Sequence, residues 1–570
     1  MNQNKARKYY GDKMNEYLKL KKSNCKNCYK CIRTCPVKSI RFSENQAHII
    51  ADDCILCGHC FLACPQNAKE IRSDVDIVKN FIAGDRPVFA SLAPSFIANY
   101  GNVSFSAMER ALLKLGFTGV EETAIGATMV AKQYENIVTD KKSDVIISTC
   151  CHTVNLLIQK YYPELIGNLA PIISPMQAHC KDLKRRHGDI KTVFIGPCIS
   201  KKAEVEICPK DVDCVLTFEE LSLWMNNEEN EFEPQSENSS PYRARIFPTT
   251  GGILKTMDTD HPDYTYVAID GIESCIEAIK DIKQGAIHKC FIEMSACQGS
   301  CINGPAMDKR SGLPIRNYVA VSNFTGTDNL SVSKDILKEL NKNFPSLAPR
   351  KIHVADSVIE GVLRQMGKTK PEHELNCGSC GYNTCREKAR AIIDGKADLT
   401  MCLPFLKDKA ESFSDTIISH TPNAILVVNE NFEVQLANES ACDLLNIKSP
   451  GEILGDQVVR VLDPAPFVNA YHHGKDIFAK KQYLAEYKKY VEQTVIYDKD
   501  YHIIICIMRD VTTEIMQLEN RQKLSRNTIA VTDRVIEKQM RTVQEIASLL
   551  GETTAETKIA LTKLKESLYD

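Results

Sequence analysis

From about Val75 to Pro349, short β-branched or apolar runs alternate with longer helical stretches. Val88-Phe89-Ala90, Val145-Ile146-Ile147, Val193-Phe194-Ile195 and Tyr266-Val267-Ala268 are the strand-like runs. Such alternation predicts parallel α/β layers, in which sites gather beyond the strand ends. After Glu411 the pattern changes. Ala424 to Val428 and Phe432 to Leu436 flank Asn429-Glu430-Asn431, a hairpin signal, and Ala437 to Leu445 reads as a helix. Three strands are then expected at Tyr483 to Tyr490, Val491 to Tyr497 and Tyr501 to Met508. Towards the C-terminus Ile536, Met540, Val543, Ala547 and Leu550 recur at spacings of four and three, forming an apolar helical seam. Gly551 is expected to punctuate that helix, and Thr553 to Glu556 to cap a second one bearing Ile559, Leu564 and Leu568. At the other end the Lys-rich residues 1–22 read first as a solvated, partly ordered extension and second as a partner-docking segment, and a short helix there would place Tyr10, Met14, Tyr17 and Leu18 on one side.

The 570 residues suit about four domains, and 43% apolar content is enough for several packed cores. Lys and Arg total 71 against 73 for Asp and Glu, so no global field draws nucleic acid or an anionic membrane. The longest apolar runs, such as Ile503 to Met508, fall far short of a bilayer span, and the N-terminus has no apolar signal core. A soluble chain is expected. Most of the 24 cysteines fall in metal-ligand spacings that need reduced thiolates, which suits the cytoplasm.

Two cysteine strings carry the strongest signal. Cys25, Cys28, Cys31 and Cys35 precede Pro36, and Cys54, Cys57, Cys60 and Cys64 precede Pro65. In each C-x2-C-x2-C-x3-C-P run three thiolates surround one [4Fe-4S] cube and the fourth serves its neighbour. The rule assigns Cys25, Cys28, Cys31 and Cys64 to cube one, and Cys54, Cys57, Cys60 and Cys35 to cube two. Zinc or disulfides are the alternative, but zinc knuckles do not need a third cysteine at this spacing.

Three further cysteine elements lie in the α/β region: Ser148-Thr149-Cys150-Cys151 and Gly196-Pro197-Cys198-Ile199-Ser200-Lys201-Lys202 each follow a strand-like run, and the third is the stretch from Glu293 to Gly304 that contains Cys297 and Cys301. Converging from separate segments, they would cage one cofactor. Residues 20–350 resemble the iron-only ([FeFe]) hydrogenase family, whose signatures are close to T-S-C-C-P, M-P-C-x-x-K and E-x-M-A-C-x-x-G-C-x-x-G. The resemblance implies that Cys151, Cys198, Cys297 and Cys301 bind the cubane half of an H-cluster. Cys301 would bridge to a di-iron half carrying carbon monoxide, cyanide and a dithiolate. It also implies that Cys150 relays protons and Lys201 hydrogen-bonds a cyanide. Departures are present. Gly196 and Ser295 replace methionines, implying a roomier and more polar pocket, His152 replaces the proline, and Thr128 to Tyr134 lacks the family's acidic proton path.

Downstream, Cys377, Cys380, Cys385 and Cys402 resemble the four-iron module of corrinoid iron-sulfur proteins, with a zinc knuckle as the alternative. The strand and helix order of the next segment resembles a PAS sensory domain. His472 and His473 raise haem ligation, against which stands the commoner solvated loop. Cys180, Cys208, Cys214, Cys275, Cys290, Cys442 and Cys506 read as ordinary buried thiols.

The expectation is thus an α/β multidomain protein: a basic extension (1–22), a two-cluster ferredoxin module (23–74), an H-cluster domain (75–350), a small iron-sulfur module (351–408), an α+β PAS domain (409–515) and C-terminal output helices (516–570). The resemblance implies a hydrogen-sensing hydrogenase of low turnover, with H2 and protons as reactants. A ferredoxin-type redox partner, maturation proteins, a trans-acting kinase or phosphatase and a second copy of the chain would be its partners. A metabolic ferredoxin-linked hydrogenase and a non-enzymatic iron-sulfur scaffold are the alternatives.

Overall fold

The computed structural model describes residues 17–21, 24–44, 46–101, 103–207, 210–227, 242–258, 261–308, 314–328, 330–348 and 354–567. The chain divides into two compact units, Met1–Leu406 and Lys407–Asp570.

The first unit opens with β1 (Leu18–Leu20), β2 (Ile40–Ser43), β3 (Gln46–Ile49) and β4 (Lys69–Ile71), forming two antiparallel ribbons, β1 on β4 and β2 on β3. Leu18 therefore does not continue the predicted helix. It pairs with Ile71 and is buried, because the strand supplies an apolar edge to the small cysteine-rich core. Tyr10 and Met14 lie outside the described residues.

Next come β5 (Val88–Leu92), β6 (Gly119–Glu122), β7 (Val145–Ile147), β8 (Lys191–Gly196), β9 (Cys214–Thr217), β10 (Thr265–Asp270) and β11 (Cys290–Ser295). They form two all-parallel sheets, in the orders β6-β5-β8-β9 and β10-β11-β7. All four strand-like runs of this region are strands. Val145–Ile147, Cys214–Thr217 and Cys290–Ser295 are buried throughout, as befits parallel strands covered on both faces. Leu92, Val193, Ile195 and Leu216 fill one core, and Ile147, Leu156, Ile279 and Ile292 another. Beyond them, the helix Asp356–Gln365 packs on the helix Cys385–Ile393 through Leu363 and Ala389.

The second unit is a five-stranded antiparallel sheet of β12 (Ala424–Asn429), β13 (Val434–Ala437), β14 (Ile477–Leu484), β15 (Lys489–Asp498) and β16 (Ile503–Asp510), in the order β13-β12-β16-β15-β14. The hairpin and the helix after it, Glu439–Leu444, occur where the pattern places them. The strand expected at Tyr483 to Tyr490 does not exist: β14 starts at Ile477 and the chain turns between Leu484 and Lys489. Leu426, Val495, Ile504 and Cys506 face a core closed by Leu444 and Phe467. His472 and His473 end the helix Ala465–His473 rather than lying in a loop, and both are exposed. The last helix, Thr512–Ser567, runs unbroken through Gly551, so neither the predicted break nor the second cap forms. A lone glycine costs only about 1 kcal/mol in a helix, and strong helix formers continue the chain beyond it. Among the described residues no helix is long and apolar enough to cross a membrane.

Candidate functional site

The two cysteine strings fold as copies of one turn. After Cys35 and Cys64 the chain passes through left-handed residues, Lys38 and Asn67, and the backbone N–H groups of Ser39 and Ala68 each donate to the cysteine sulfur at 3.3 Å. Leu56 N–H donates likewise to Cys54 at 3.4 Å. Such N–H···S bonds stabilise sulfur that carries negative charge. Cysteines of the two strings act on one another electrostatically. Burial and then Cys25, Cys28 and Cys64, opposed by Lys69, hold the Cys31 pKa high. Burial followed by Cys35, Cys60 and Cys54 raises that of Cys57.

The second site forms where strands of both parallel sheets end. Cys150 and Cys151 follow β7, Cys297 and Cys301 follow its neighbour β11, and Cys198 follows β8 of the other sheet. Ser148 N–H bonds the Ile292 carbonyl at 2.9 Å and Met294 N–H bonds Ser148 Oγ at 3.1 Å, carrying the β7–β11 pairing to the cysteines. A close approach fixes the remaining pair: a Cβ on Gly304 would stand 2.5 Å from the Pro197 carbonyl oxygen. The four thiols lie within electrostatic reach of one another. Burial, then Cys198 and Cys151, pushes Cys301 up to about 12, and the Cys297 pKa is raised by burial, Cys198, Cys151 and Cys301. Cys301 is exposed and the other three are half-buried.

Crowded, desolvated thiols of this kind ionise together only when positive charge joins them, so the donor set fits an iron-sulfur cofactor. Among the described residues no group of three His, Cys, Asp or Glu side chains converges as for a single metal ion. A cube makes no such demand, since its cysteines bind separate irons. Every described cysteine is free.

Cys150 stands apart from the four. Its sulfur is 3.1 Å from the Tyr134 hydroxyl, which accepts from Thr149 N–H at 2.8 Å. Tyr134 is fully buried, and burial holds the Cys150 thiol well above its usual range. Lys201 Nζ donates to the Cys150 carbonyl at 3.1 Å and to Glu204 at 2.5 Å. Burial opposes the Lys201 ammonium, but the Glu204 carboxylate beside it leaves the pKa raised. Glu293, near enough to act on Cys150, accepts from Gly251 N–H at 3.0 Å and Leu254 N–H at 3.2 Å. Its pKa nevertheless rises to about 7 because desolvation outweighs those bonds. The motif contained this carboxyl, yet a spacing argument alone gives no sign of its burial. His152 is buried with neither ring nitrogen bonded to protein, and burial lowers its pKa to about 3, leaving it neutral.

The expected roomier pocket beside Gly196 is not found. A Cβ there would stand 2.7 Å from the Phe194 ring, so the aromatic side chain takes the space the missing side chain releases. Ser295 is buried, and its carbonyl accepts from Cys275 Sγ at 3.4 Å. Of the cysteines without assigned chemistry, Cys180, Cys214, Cys275, Cys290, Cys442 and Cys506 are buried; Cys208 lies outside the described residues.

The strings and the cage meet directly. Gly58, at φ +75°, would place a Cβ 2.4 Å from Pro305, and Cys57 acts electrostatically on Cys297. A cavity of about 960 Å³ has Cys57, Cys64 and Cys297 in its wall. Lys202, fully buried, bonds Asp74 at 2.7 Å and Glu220 at 2.9 Å, tying the segment after the second string to the loop that carries Cys198. In the downstream module, Cys377 and Ser379 Oγ are 3.1 Å apart, and Cys402 and the half-buried Cys385 share an apolar cluster while Cys380 joins the core of the first strings.

Two cysteine strings beside a group of thiols at the ends of parallel strands indicate an iron-sulfur protein. Residues 86–305 match the family model "Iron only hydrogenase large subunit, C-terminal domain", residues 17–75 match "4Fe-4S dicluster domain", and residues 374–404 match a model for an Fe-S cluster segment. Through residues 86–305 the chain is similar to the [FeFe]-hydrogenase family. Iron hydrogenase 1 of Clostridium pasteurianum is 26% identical across 52% of this chain and 65% of its own length. The cytosolic Fe-S cluster assembly factor NAR1 of Debaryomyces hansenii is 24% identical across 39% of this chain and 47% of its own. A solved variant of [FeFe]-hydrogenase HydA1 from Chlamydomonas reinhardtii aligns at 16% identity over 49% of this chain and 100% of that one, with a TM-score of 0.39. The chain spans less than two thirds of the length of these curated relatives.

Proposed function

We propose that this protein is a hydrogen-sensing [FeFe]-hydrogenase: it oxidises H2 reversibly to two protons and two electrons at an H-cluster, passes the electrons through [4Fe-4S] clusters and signals through its second unit. The observation that carries the reading is the meeting of Cys151, Cys198, Cys297 and Cys301 at the strand ends, with Cys150 and Lys201 beside them. Bound there, an H-cluster would supply the metal site at which hydrogen is cleaved. The chain supplies the rest. Cys150 carries a proton at Sγ, held in place by the Tyr134 hydroxyl, and Glu293 offers a carboxyl that exchanges protons near neutral pH. Lys201, kept cationic by Glu204, presents an ammonium to an anionic ligand. Cys57 and Cys297 mark the electron exit.

The sensory half of the reading is supported by the second unit, whose strand order and flanking helices suit a PAS domain. A second copy of the chain is the occupant its last helix calls for. At 1.5 Å per residue its 56 residues extend about 84 Å. Ile529, Ile536 and Val543, spaced by seven, are 58%, 54% and 60% exposed. β-Branched residues at one heptad position favour two parallel strands. A kinase or phosphatase acting in trans would read such a dimer.

Infrared spectroscopy of protein matured by the H-cluster assembly proteins, under hydrogen and then argon, tests the proposal. Carbonyl and cyanide bands that change with the gas, together with slow steady-state hydrogen evolution, are expected. A second reading, an iron-sulfur scaffold without the di-iron half, is favoured by the NAR1 likeness. Cubes without those bands would decide for it.

A further inference from the structure

We infer that cube two is a branch point, with the Cys377–Cys402 module docked on it as a second electron outlet and the Lys38 ammonium held between them to set both potentials. The inference requires only that these cysteine sets hold cubes, whatever the substrate of the cage.

The docking is close. Gly381, at φ +95°, would put a Cβ 2.7 Å from Ile32 Cγ2 and 3.3 Å from Arg33 N, so the module lies directly on the short helix Lys30–Thr34 between Cys31 and Cys35. Arg33 donates to the Ser379 carbonyl at 3.1 Å and to the Cys28 carbonyl at 3.0 Å. Phe42 N–H bonds the Lys396 carbonyl at 3.0 Å, and Lys396 Nζ reaches Asp53, the residue before Cys54, at 2.5 Å. Cys380 and Tyr382 share one apolar core with Ile32, Cys35 and Cys60.

Cube two therefore faces two ways: Cys57 acts on Cys297 of the cage, and Cys35 shares an apolar cluster with Cys380 of the module, both acting on Tyr382. Cube one completes the junction through the exchanged Cys35 and Cys64. The surface-exposed cysteines, Cys28 of cube one and Cys377 of the module, mark where electrons leave by either branch. In the step proposed, one electron passes from reduced cube two to the oxidised module cube. Cube two returns to its oxidised level, and no bond is made or broken.

Lys38 sits at this junction. Its Nζ donates to the Ile32 and Arg33 carbonyls at 3.3 and 3.1 Å; burial lowers its pKa, and Cys35, Glu387 and Cys380 oppose that shift by favouring the ammonium. Its backbone is left-handed, at φ +50°. The matching position of the second string holds Asn67, a residue type that tolerates this conformation, whereas lysine is disfavoured there. Turn geometry does not account for a lysine at this place; a fixed cation between two cysteine ligands does, because it favours the reduced, more negative form of each cube.

The test uses the full chain with its cubes reconstituted anaerobically, iron and sulfide counted per chain, and redox titration followed by electron paramagnetic resonance. Lys38→Gln is expected to shift the reduction equilibria of cube two and the module cube together, about tenfold towards the oxidised form, or 59 mV for a one-electron couple. Lys38→Arg should restore both. Cys377→Ser, which removes an exposed ligand, should relieve the spin-coupling broadening of cube two in the reduced state. Movement of only one midpoint or neither in fully loaded Lys38→Gln would overturn the role of Lys38. A cube-two line shape unchanged by loss of the module cube would overturn the branch itself, even if Lys38→Gln failed to load.

Discussion

The Tyr134 hydroxyl lies 3.1 Å from Cys150 Sγ and also accepts the Thr149 backbone N–H at 2.8 Å, so one phenol fixes both the thiol and the turn that presents it. Tyr134→Phe keeps the ring, which packs edge-on against Phe291, and strands a buried N–H. That should lower stability by about 1–3 kcal/mol in denaturant titration. With cofactor loaded, hydrogen–deuterium isotope exchange should slow while the infrared bands stay in place.

Glu293 titrates near 7 in the folded protein against 4.5 for an ordinary glutamate. The native state thus holds its proton over a range in which the unfolded chain has lost it. The contribution to stability is present below about pH 4.5 and declines as pH rises towards 7. Glu293→Gln should flatten this part of the stability–pH curve of the cofactor-free protein. An unchanged slope would show that the carboxyl is ionised in the native state.

Arg245 pairs with Glu122 at 2.6 and 2.9 Å and lies over the Phe324 ring at 3.8 Å, with both charged groups buried. Removing Glu122 takes the two-pronged carboxylate from a buried guanidinium. Glu122→Ala should cost about 3–5 kcal/mol by chemical denaturation, more than Glu122→Gln, which retains hydrogen-bonding atoms.

Gly58 has a left-handed backbone and no room for a side chain beside Pro305. Gly58→Ala should cost about 1–2 kcal/mol in backbone strain alone and push the second string away from the cage loop. Slower reduction of cube two from the loaded cage under hydrogen, read by stopped-flow at unchanged cube content, is the expected outcome.

Ile536→Glu combined with Val543→Glu should convert a dimer to a monomer in light scattering without altering iron content. A monomeric parent protein would remove the argument for the helical seam.

Much of the site could be read from the chain because cysteine spacing and strand-like runs are local. Cys150 and Cys198 each fall just beyond an apolar run; β7–β11 pairing joins Cys150 to Cys297, and the Gly304–Pro197 approach between the two sheets brings in Cys198. What escaped notice depends on contacts between distant residues. Nothing near Gly381 points to Ile32, and nothing near Leu18 points to Ile71. The β14 strand was misplaced because Ile477–Leu484 is an edge strand, largely exposed along its length, so it lacks the alternation that marks a half-buried one. Gly196 suggested open space because the position of Phe194, two residues earlier on the same strand face, cannot be judged from residue size alone.

Lys202 gives the chain a practical rule for engineering. Its two carboxylate partners come from either side of the apparent seam, Asp74 upstream and Glu220 downstream. A transplant of the catalytic-type domain cut after residue 74 would leave this cation half-neutralised inside the donor loop of Cys198. Chimeras that carry residues 72–74 along with the downstream domain should assemble, whereas those that respect the motif boundary should lose the geometry of Lys201, one residue away.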